Sequence, residues 1–424
     1  MCGQIAFWHN ILIIESMLTM YPGQNKLKIV VGPGVLARSR RGEKAWGDDM
    51  SAAQGYGLEG VVAASTRTSL VDGLLGRLII AGYELEDLAP QASFEEMAFL
   101  LLEGRLPNEG ELKDIREDLA SRRSLPPATI ALLESAASNG VSVTDALVMA
   151  APTLRIGHTE DPLEDAFTAV AAFPSIVGSY WRLRNAEEPV AARSDLSHAA
   201  HFLYQVFGVE PTLAQTRGVE TYLNTVCDHG LNASTFTARV IMSTHSDVIS
   251  AVTGAMGALK GPLHGGAPGP ALDMVFEIGQ PENADAVIRA KLARGERLMG
   301  FGHRVYRVRD PRADVLAGAA EKLYDSEEDK QIYVLAKQVE QAALRLLAQH
   351  KPGRCLQTNV EFFTALLLHG LGLPAELFTP TFAVGRVVGW TAHCLEQLRE
   401  GRLIRPDAKY IGPVGLKFQP VPGR

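Results

Sequence analysis

The sequence predicts an all-α fold with one small β-hairpin near its N-terminal end. Two observations predict it. Between residues 90 and 405 apolar residues recur at helical spacing between Pro and Gly breaks, and no run there alternates apolar and polar residues long enough to make a sheet. The absence of a fixed-period internal repeat also argues against a solenoid. At 424 residues the chain exceeds one small domain, so two domains are expected.

The elements follow in order. Residues 1–14, MCGQIAFWHNILII, are apolar but lack a basic leading region, and Glu15 ends the run well short of a membrane span. Residues 26–47 turn basic around Arg38, Arg40 and Arg41, with no consistent periodicity. Residues 1–50 are therefore expected to lie outside the fold, as a disordered or loosely packed extension ahead of a start at Met50. GRLIIAGYELEDL (76–88) is the best strand candidate and is expected to pair with VVAAS (61–65) in the hairpin. SFEEMAFLLLEG (93–104) reads as a helix opened by a capping box, Ser93 with Glu96, and closed by glycine. ELKDIREDLASRR, DALVMAAPTL, DAFTAVAAFPSIVGSYWRL, SHAAHFLYQVFG and RGVETYLNTVCDHG continue the helical pattern. VIMSTHSDVISAVTGAMGALKG (240–261) reads as one helix of small residues, buried on most sides.

Composition excludes several function classes. Apolar residues make up 46% and charged residues 21%, as in an ordinary soluble domain. A net charge of −7 gives no general attraction to nucleic acid or to an anionic membrane. The four cysteines, Cys2, Cys227, Cys355 and Cys394, form no CxxC pair, which points to a reducing compartment, the cytoplasm. Phosphate loops of the GxGxxG or GxxxxGK[ST] type are absent, and no HExxH or tight carboxylate–histidine spacing suggests a metal. His198 and His201 lie three apart on one helix face without a third ligand, and are expected at the surface.

Four stretches carry polar groups that packing alone does not ask for. VCDHGLNASTF (226–236) places His229 and Asn232 at a helix boundary, and GPLHGGAPGP (261–270) surrounds His264 with Gly and Pro. MGFGHRVYRVRDPRA (299–313) gathers His303, Arg304, Arg307, Arg309 and Arg312 around a single acid, Asp310. FTPTFAVGRVVGWTAH (378–393) sets Arg386 alone on an apolar helix, with no acid one turn away. Arg386 either snorkels to solvent or is buried against an anion, and a bound carboxylate suits its planar fork. Finally, TNVEFF (358–363) puts Glu361 before an apolar run. With Thr358 it fits a capping box; alternatively it is a base that takes a proton from a substrate.

GPLHGGA, MGFGHRVYRVRDPRA and NVEFF, in this order and at these separations, resemble the citrate synthase family. GLEGVVAASTRTSLVDG, GYELEDLA and DHGLNASTFTARV extend the likeness over residues 57–412. The resemblance implies a homodimer of mostly helical subunits, with a large domain over residues 51–265 and 367–424 and a small one over 266–366. It implies condensation of acetyl-CoA with oxaloacetate and hydrolysis of the thioester, with no metal and no cofactor beyond the substrates. By motif position it gives the base role to Glu361, the enolate hydrogen bond to His264 and the proton for the ketone to His303. It gives oxaloacetate to His229, Asn232, Arg312 and Arg386, with Arg405 reaching the partner's site. Lys260, Arg304 and Arg307 are the basic residues expected to meet CoA phosphates.

One departure stands out. Many members of the family carry aspartate where this chain has Glu361, although some are likewise reported to carry glutamate. An extra methylene moves a carboxylate by about 1.5 Å, and misplacement near 1 Å can cost about a hundredfold in rate. Three readings follow: a citrate synthase whose site suits glutamate, a 2-methylcitrate synthase taking propionyl-CoA, or a catalytically weak paralogue acting as a binding or regulatory helical dimer.

Overall fold

The computed structural model describes residues 56–58, 60–156, 161–265, 268–324 and 327–421; the expectation for residues 1–50 falls outside them. Contacts divide the chain at residue 63, and everything below concerns the unit from Ala64 onward. It opens with a three-stranded antiparallel sheet, β1 (Ser69–Asp72), β2 (Arg77–Ile80) and β3 (Tyr83–Glu84), in the order β1-β2-β3. The expected partner VVAAS is not a strand; Ser69 pairs with Ile80 and Asp72 with Arg77 instead. Turn chemistry is the reason. Asp72 Oδ1 accepts from the N–H groups of Leu74 and Leu75, at 3.0 and 2.8 Å, and Gly76 takes φ 67°, so DGLLG is a built hairpin turn.

The rest is helical, as expected. The helices are α1 (Leu85–Leu88), α2 (Phe94–Glu103), α3 (Glu109–Ser121), α4 (Pro127–Ser138), α5 (Val143–Ala150), α6 (Pro162–Arg184), α7 (His198–Phe207), α8 (Leu213–Val226), α9 (Ala233–Met242) and α10 (Val248–Leu259). They continue as α11 (Pro268–Ile278), α12 (Ala284–Ala293), α13 (Pro311–Leu323), α14 (Glu327–His350), α15 (Val360–Gly370) and α16 (Phe378–Glu400). The Ser93–Glu96 capping box forms on α2, and Gly104 closes that helix at φ 78°. Residues 240–261 are not one helix. Ser243 and Thr244 turn their hydroxyls onto the carbonyls of Val240 and Ile241, and Asp247 caps α10 by accepting from Ser250 N at 2.8 Å.

The core centres on α16, whose residues Ala383–Cys394 are buried and which packs against α2, α6, α8, α9 and α10. Its small residues allow close approach: a Cβ on Gly389 would lie 2.1 Å from the carbonyl oxygen of Cys227, and one on Gly385 would meet Val226 and Leu223. The loop between α8 and α9 therefore lies flat on α16.

His198 and His201 overturn the surface expectation, since both are fully buried at the α2–α7 contact. His198 stacks on Phe94 with ring centroids 4.4 Å apart, and its backbone N–H donates to Glu95 Oε1 at 2.8 Å. Burial depresses both imidazoles, His201 to about 3, so both rings are neutral in the fold. The unfolded chain binds protons at these rings from about pH 6.5 downward while the folded chain does not. Stability should thus be full above that pH and fall by about 1.4 kcal/mol per pH unit per histidine well below it. Urea midpoints measured down to about pH 4 should show this acid limb, and it should be shallower in His201→Gln.

Candidate active site

Two loops meet through a short piece of extended chain. Phe301 bridges Thr358 antiparallel, Gly302 N donates to Gln357 O at 2.7 Å, and Asn359 N donates to Gly300 O at 3.0 Å. Gly300 and Gly302 both take φ 86°, and a Cβ on Gly300 would lie 2.9 Å from the ring of Phe362. Only glycine permits this approach. Thr358 serves the junction, donating to Glu340 Oε1 at 2.7 Å, and so does not cap α15 as expected. Asn359 is the cap, accepting from Glu361 N at 3.0 Å. The carboxylate of Glu361 is thereby left without a hydrogen bond among the described residues. Burial lifts it to about 7, with Arg312 opposing and Asp310 reinforcing the rise.

The glycine junction also places His303. Its Nδ1 accepts from the N–H groups of Val305 and Tyr306 at 3.0 and 3.1 Å, so the ring hydrogen sits on Nε2. Nε2 lies 3.4 Å from Arg312 Nη2; with donors on both atoms this is a contact and not a hydrogen bond. Burial first, and Arg312 second, depress His303 to about 4. His229 is edge-on to His303 with centroids 5.7 Å apart, and its Nε2 lies 3.1 Å from Tyr306 Oη. Burial and the two arginines push its imidazole well below the usual range.

The two expected arginine clamps differ. Arg312, at the start of α13, is held by the N-cap Asp310 through Nε at 3.0 Å and Nη2 at 2.7 Å. Arg386 does not snorkel: it is 1% exposed. Its Nε donates to Val226 O and its guanidinium lies 4.6 Å from the Phe382 ring. The terminal nitrogens of Arg386 have no protein partner among the described residues. Burial lowers it to about 10 while Asp228 opposes, so it remains a cation. A buried guanidinium with an unpaired fork is a receptor for a planar anion.

His264 shares Phe382 with Arg386, at 6.3 Å between ring centroids. Burial lowers it to about 4. Its Nε2 lies 2.8 Å from Ser234 Oγ, which also accepts from Trp390 Nε1 at 3.0 Å and lies 2.7 Å from Asn232 Oδ1. The single hydroxyl hydrogen goes to His264 or to Asn232; in the first case the ring carries its own hydrogen on Nδ1. Asn232 also caps α9, accepting from Thr235 N at 3.1 Å.

The remaining candidates lie outside this cluster. Arg304 and Arg307 are exposed on the loop after His303, Lys260 pairs with Asp145 at 2.8 Å, and Arg405 is exposed on the C-terminal segment. Sequence reasoning missed Tyr306, Ser234, Trp390 and Asp310 as site groups. Asp310 had a signal, as the one acid in an arginine-rich stretch; the others show themselves only through folding. Among the described residues no group of three or more His, Cys, Asp or Glu could hold a metal.

The family model for citrate synthase, C-terminal domain, matches residues 57–407. Citrate synthase 2 of Bacillus subtilis is 41% identical over 87% of this chain and 98% of that protein. A 2-methylcitrate synthase of Shewanella oneidensis is 37% identical with the same two coverages. A solved citrate synthase of Thermoplasma acidophilum, in ternary complex with carymethyl-coenzyme A's parent form carboxymethyl coenzyme A and oxaloacetate, aligns with a TM-score of 0.78 at 31% identity, over 86% of this chain and 98% of that one.

Since burial favours the protonated form of Glu361, its contribution to stability is full below about pH 4.5 and is lost as the pH rises through about 7. Difference infrared spectra of the wild type against Glu361→Gln should show a carboxyl titrating near that upper value. At pH values above it the variant should melt at a higher temperature than the wild type.

Proposed function

Because this chain belongs to the citrate synthase family, we propose that it joins the methyl carbon of acetyl-CoA to the ketone carbon of oxaloacetate and then hydrolyses the thioester to give citrate and CoA. The observation that carries this reading is the set of buried groups just described: one unpaired carboxylate, neutral imidazoles and an open guanidinium fork. Glu361 takes a proton from the methyl carbon, and the electron pair of that C–H bond moves to the thioester oxygen as an enolate. A thioester α-proton is a weak acid, so the enolate oxygen needs a donor as it forms. His264 supplies it from Nδ1 when Ser234 donates to its Nε2. The enolate carbon then attacks the ketone carbon, and the Nε2 hydrogen of His303 meets the developing alkoxide. Water cleaves the citryl thioester, releasing the thiol.

Arg386 and Arg312 face the two carboxylates of oxaloacetate, with His229 and Asn232 on the ketone side. Arg304, Arg307 and Lys260 are assigned to CoA phosphates, a role supported by the exposure of all three. The scheme uses no cofactor, since acetyl-CoA is consumed. We include in the proposal the division into a large domain and a small domain over residues 266–366, whose closure excludes water until condensation is complete. A homodimer is included as well. Tyr410, Ile411, Val414, Leu416 and Phe418 are each at least 69% exposed, a segment that a second copy would cover, with Arg405 completing the partner's site. Cysteines 227, 355 and 394 are free thiols, in keeping with the cytoplasm.

The likeness to the Shewanella 2-methylcitrate synthase supports a second reading, in which propionyl-CoA is the better substrate. Thiol release with oxaloacetate and either acyl-CoA separates the two. The primary reading expects the larger kcat/KM with acetyl-CoA, and the reverse ratio favours 2-methylcitrate formation. No release with either, while oxaloacetate still raises Tm, favours the catalytically weak paralogue. Glu361→Gln should lose about 10²–10⁴ in turnover, the usual worth of a general base. Unchanged turnover in that variant would contradict the assignment.

A further inference from the structure

His393 and Asp228 are fully buried, and no step above uses them. They belong to one network. Asp228 Oδ2 accepts from Ser69 Oγ at 2.5 Å and Thr68 Oγ1 at 3.0 Å, and both its oxygens lie within 3.3 Å of His393 Nε2. Ser69 Oγ in turn accepts from the N–H of Gly230 at 2.8 Å. Residues on both sides of His229 are thus tied to the start of β1. On its far side, His393 Nδ1 lies 3.0 Å from Arg239 Nη1, which is held by Glu396 at 2.6 Å. Arg239 is always a donor, so Nδ1 accepts and the ring hydrogen sits on Nε2, facing Asp228.

The helix is shaped for this contact. Gly385, Gly389 and His393 follow one another at intervals of four on α16, making a single ridge. The two glycines let the chain at Val226–Asp228 lie directly on that ridge, and His393 closes its end. Arg386 leaves the same helix beside it. Burial works against ionisation of Asp228, but His393, Arg386 and Ser69 hold it down at about 2. Its charge faces Arg386 without pairing directly, which leaves that fork open.

We propose that Asp228, gripped between Ser69 and Thr68 on one side and His393 on the other, is a positioning residue that seats His229 and steadies Arg386 for the ketone-bearing substrate. The role rests on the functional reading above. It concerns one substrate only, because the network touches the oxaloacetate groups and neither His264 nor Glu361.

Steady-state kinetics of the full chain, with each substrate varied against saturating amounts of the other, tests it. In Asp228→Asn the KM for oxaloacetate should rise by about tenfold or more, the loss of one charge-assisted contact, while that for acetyl-CoA stays within about twofold. Ser69→Ala, a half-buried hydroxyl whose removal the fold tolerates, should show the same split with a smaller rise. His393→Gln, which can offer an N–H near the position of Nε2, should restore most of what His393→Ala loses. A merely structural role lowers the number of active molecules, so kcat falls and both KM values stay put. That pattern, or unmoved kinetics in Ser69→Ala, overturns the proposal even if Asp228→Asn does not fold. Failure of the wild type to condense oxaloacetate with any acyl-CoA overturns the functional reading itself, and the positioning role with it.

Discussion

Three residues of extended chain, Gly300–Gly302, lie against Gln357–Asn359, and the rest of the site depends on that contact. It is short because only two glycines are available to let the backbones approach, and both are held at positive φ. On one side it delivers His303, whose Nδ1 is at once occupied by two backbone N–H groups. On the other it delivers Glu361 at the first turn of α15, where a helix terminus favours negative charge. Asp310 N also donates to Thr358 O at 3.2 Å, so the N-cap that holds Arg312 hangs from the same junction. An acid, a base and an anion receptor are therefore placed by one backbone contact and not by three independent loops.

The electrostatics follow from placing these groups out of water together. Arg312 has its counter-charge in Asp310, whereas Arg386 keeps an unpaired fork. The surplus positive charge and burial act in the same direction on His229 and His303, and hold both neutral. Burial acts in the opposite sense on Glu361, raising it to about 7, where a carboxylate is both largely ionised near neutral pH and basic enough to take a proton. A dianionic substrate answers the same imbalance. Its carboxylates supply the charge that Arg386 lacks, which is how a site of this kind selects its ligand.

Much of this was legible in the chain, and what was not has physical reasons. Helical periodicity and capping chemistry are local, so the all-α fold and the Ser93–Glu96 box could be read directly. The four polar stretches were legible because glycine-cradled histidines and an arginine on an apolar helix conflict with packing. Thr358 was misread because its hydroxyl answers to Glu340, eighteen residues away in sequence, and not to its own helix. His198 and His201 were misread for a similar reason: a histidine whose burial depends on Phe94 and Glu95 carries no local mark. The hairpin shifted because an Asp-Gly turn outweighs a short β-branched run. Ser234 and Trp390, which set the hydrogen on His264, come from α9 and α16 and meet only in the folded chain.

The central claim is that Glu361 removes the α-proton of the acyl-CoA. It is tested most directly by exchange of the methyl hydrogens of acetyl-CoA with heavy water, followed by NMR, in the presence of a non-reactive dicarboxylate in place of oxaloacetate. This isolates proton removal from condensation and hydrolysis. The account predicts enzyme-dependent exchange in the wild type and none above background in Glu361→Gln. Equal exchange in both proteins would contradict it.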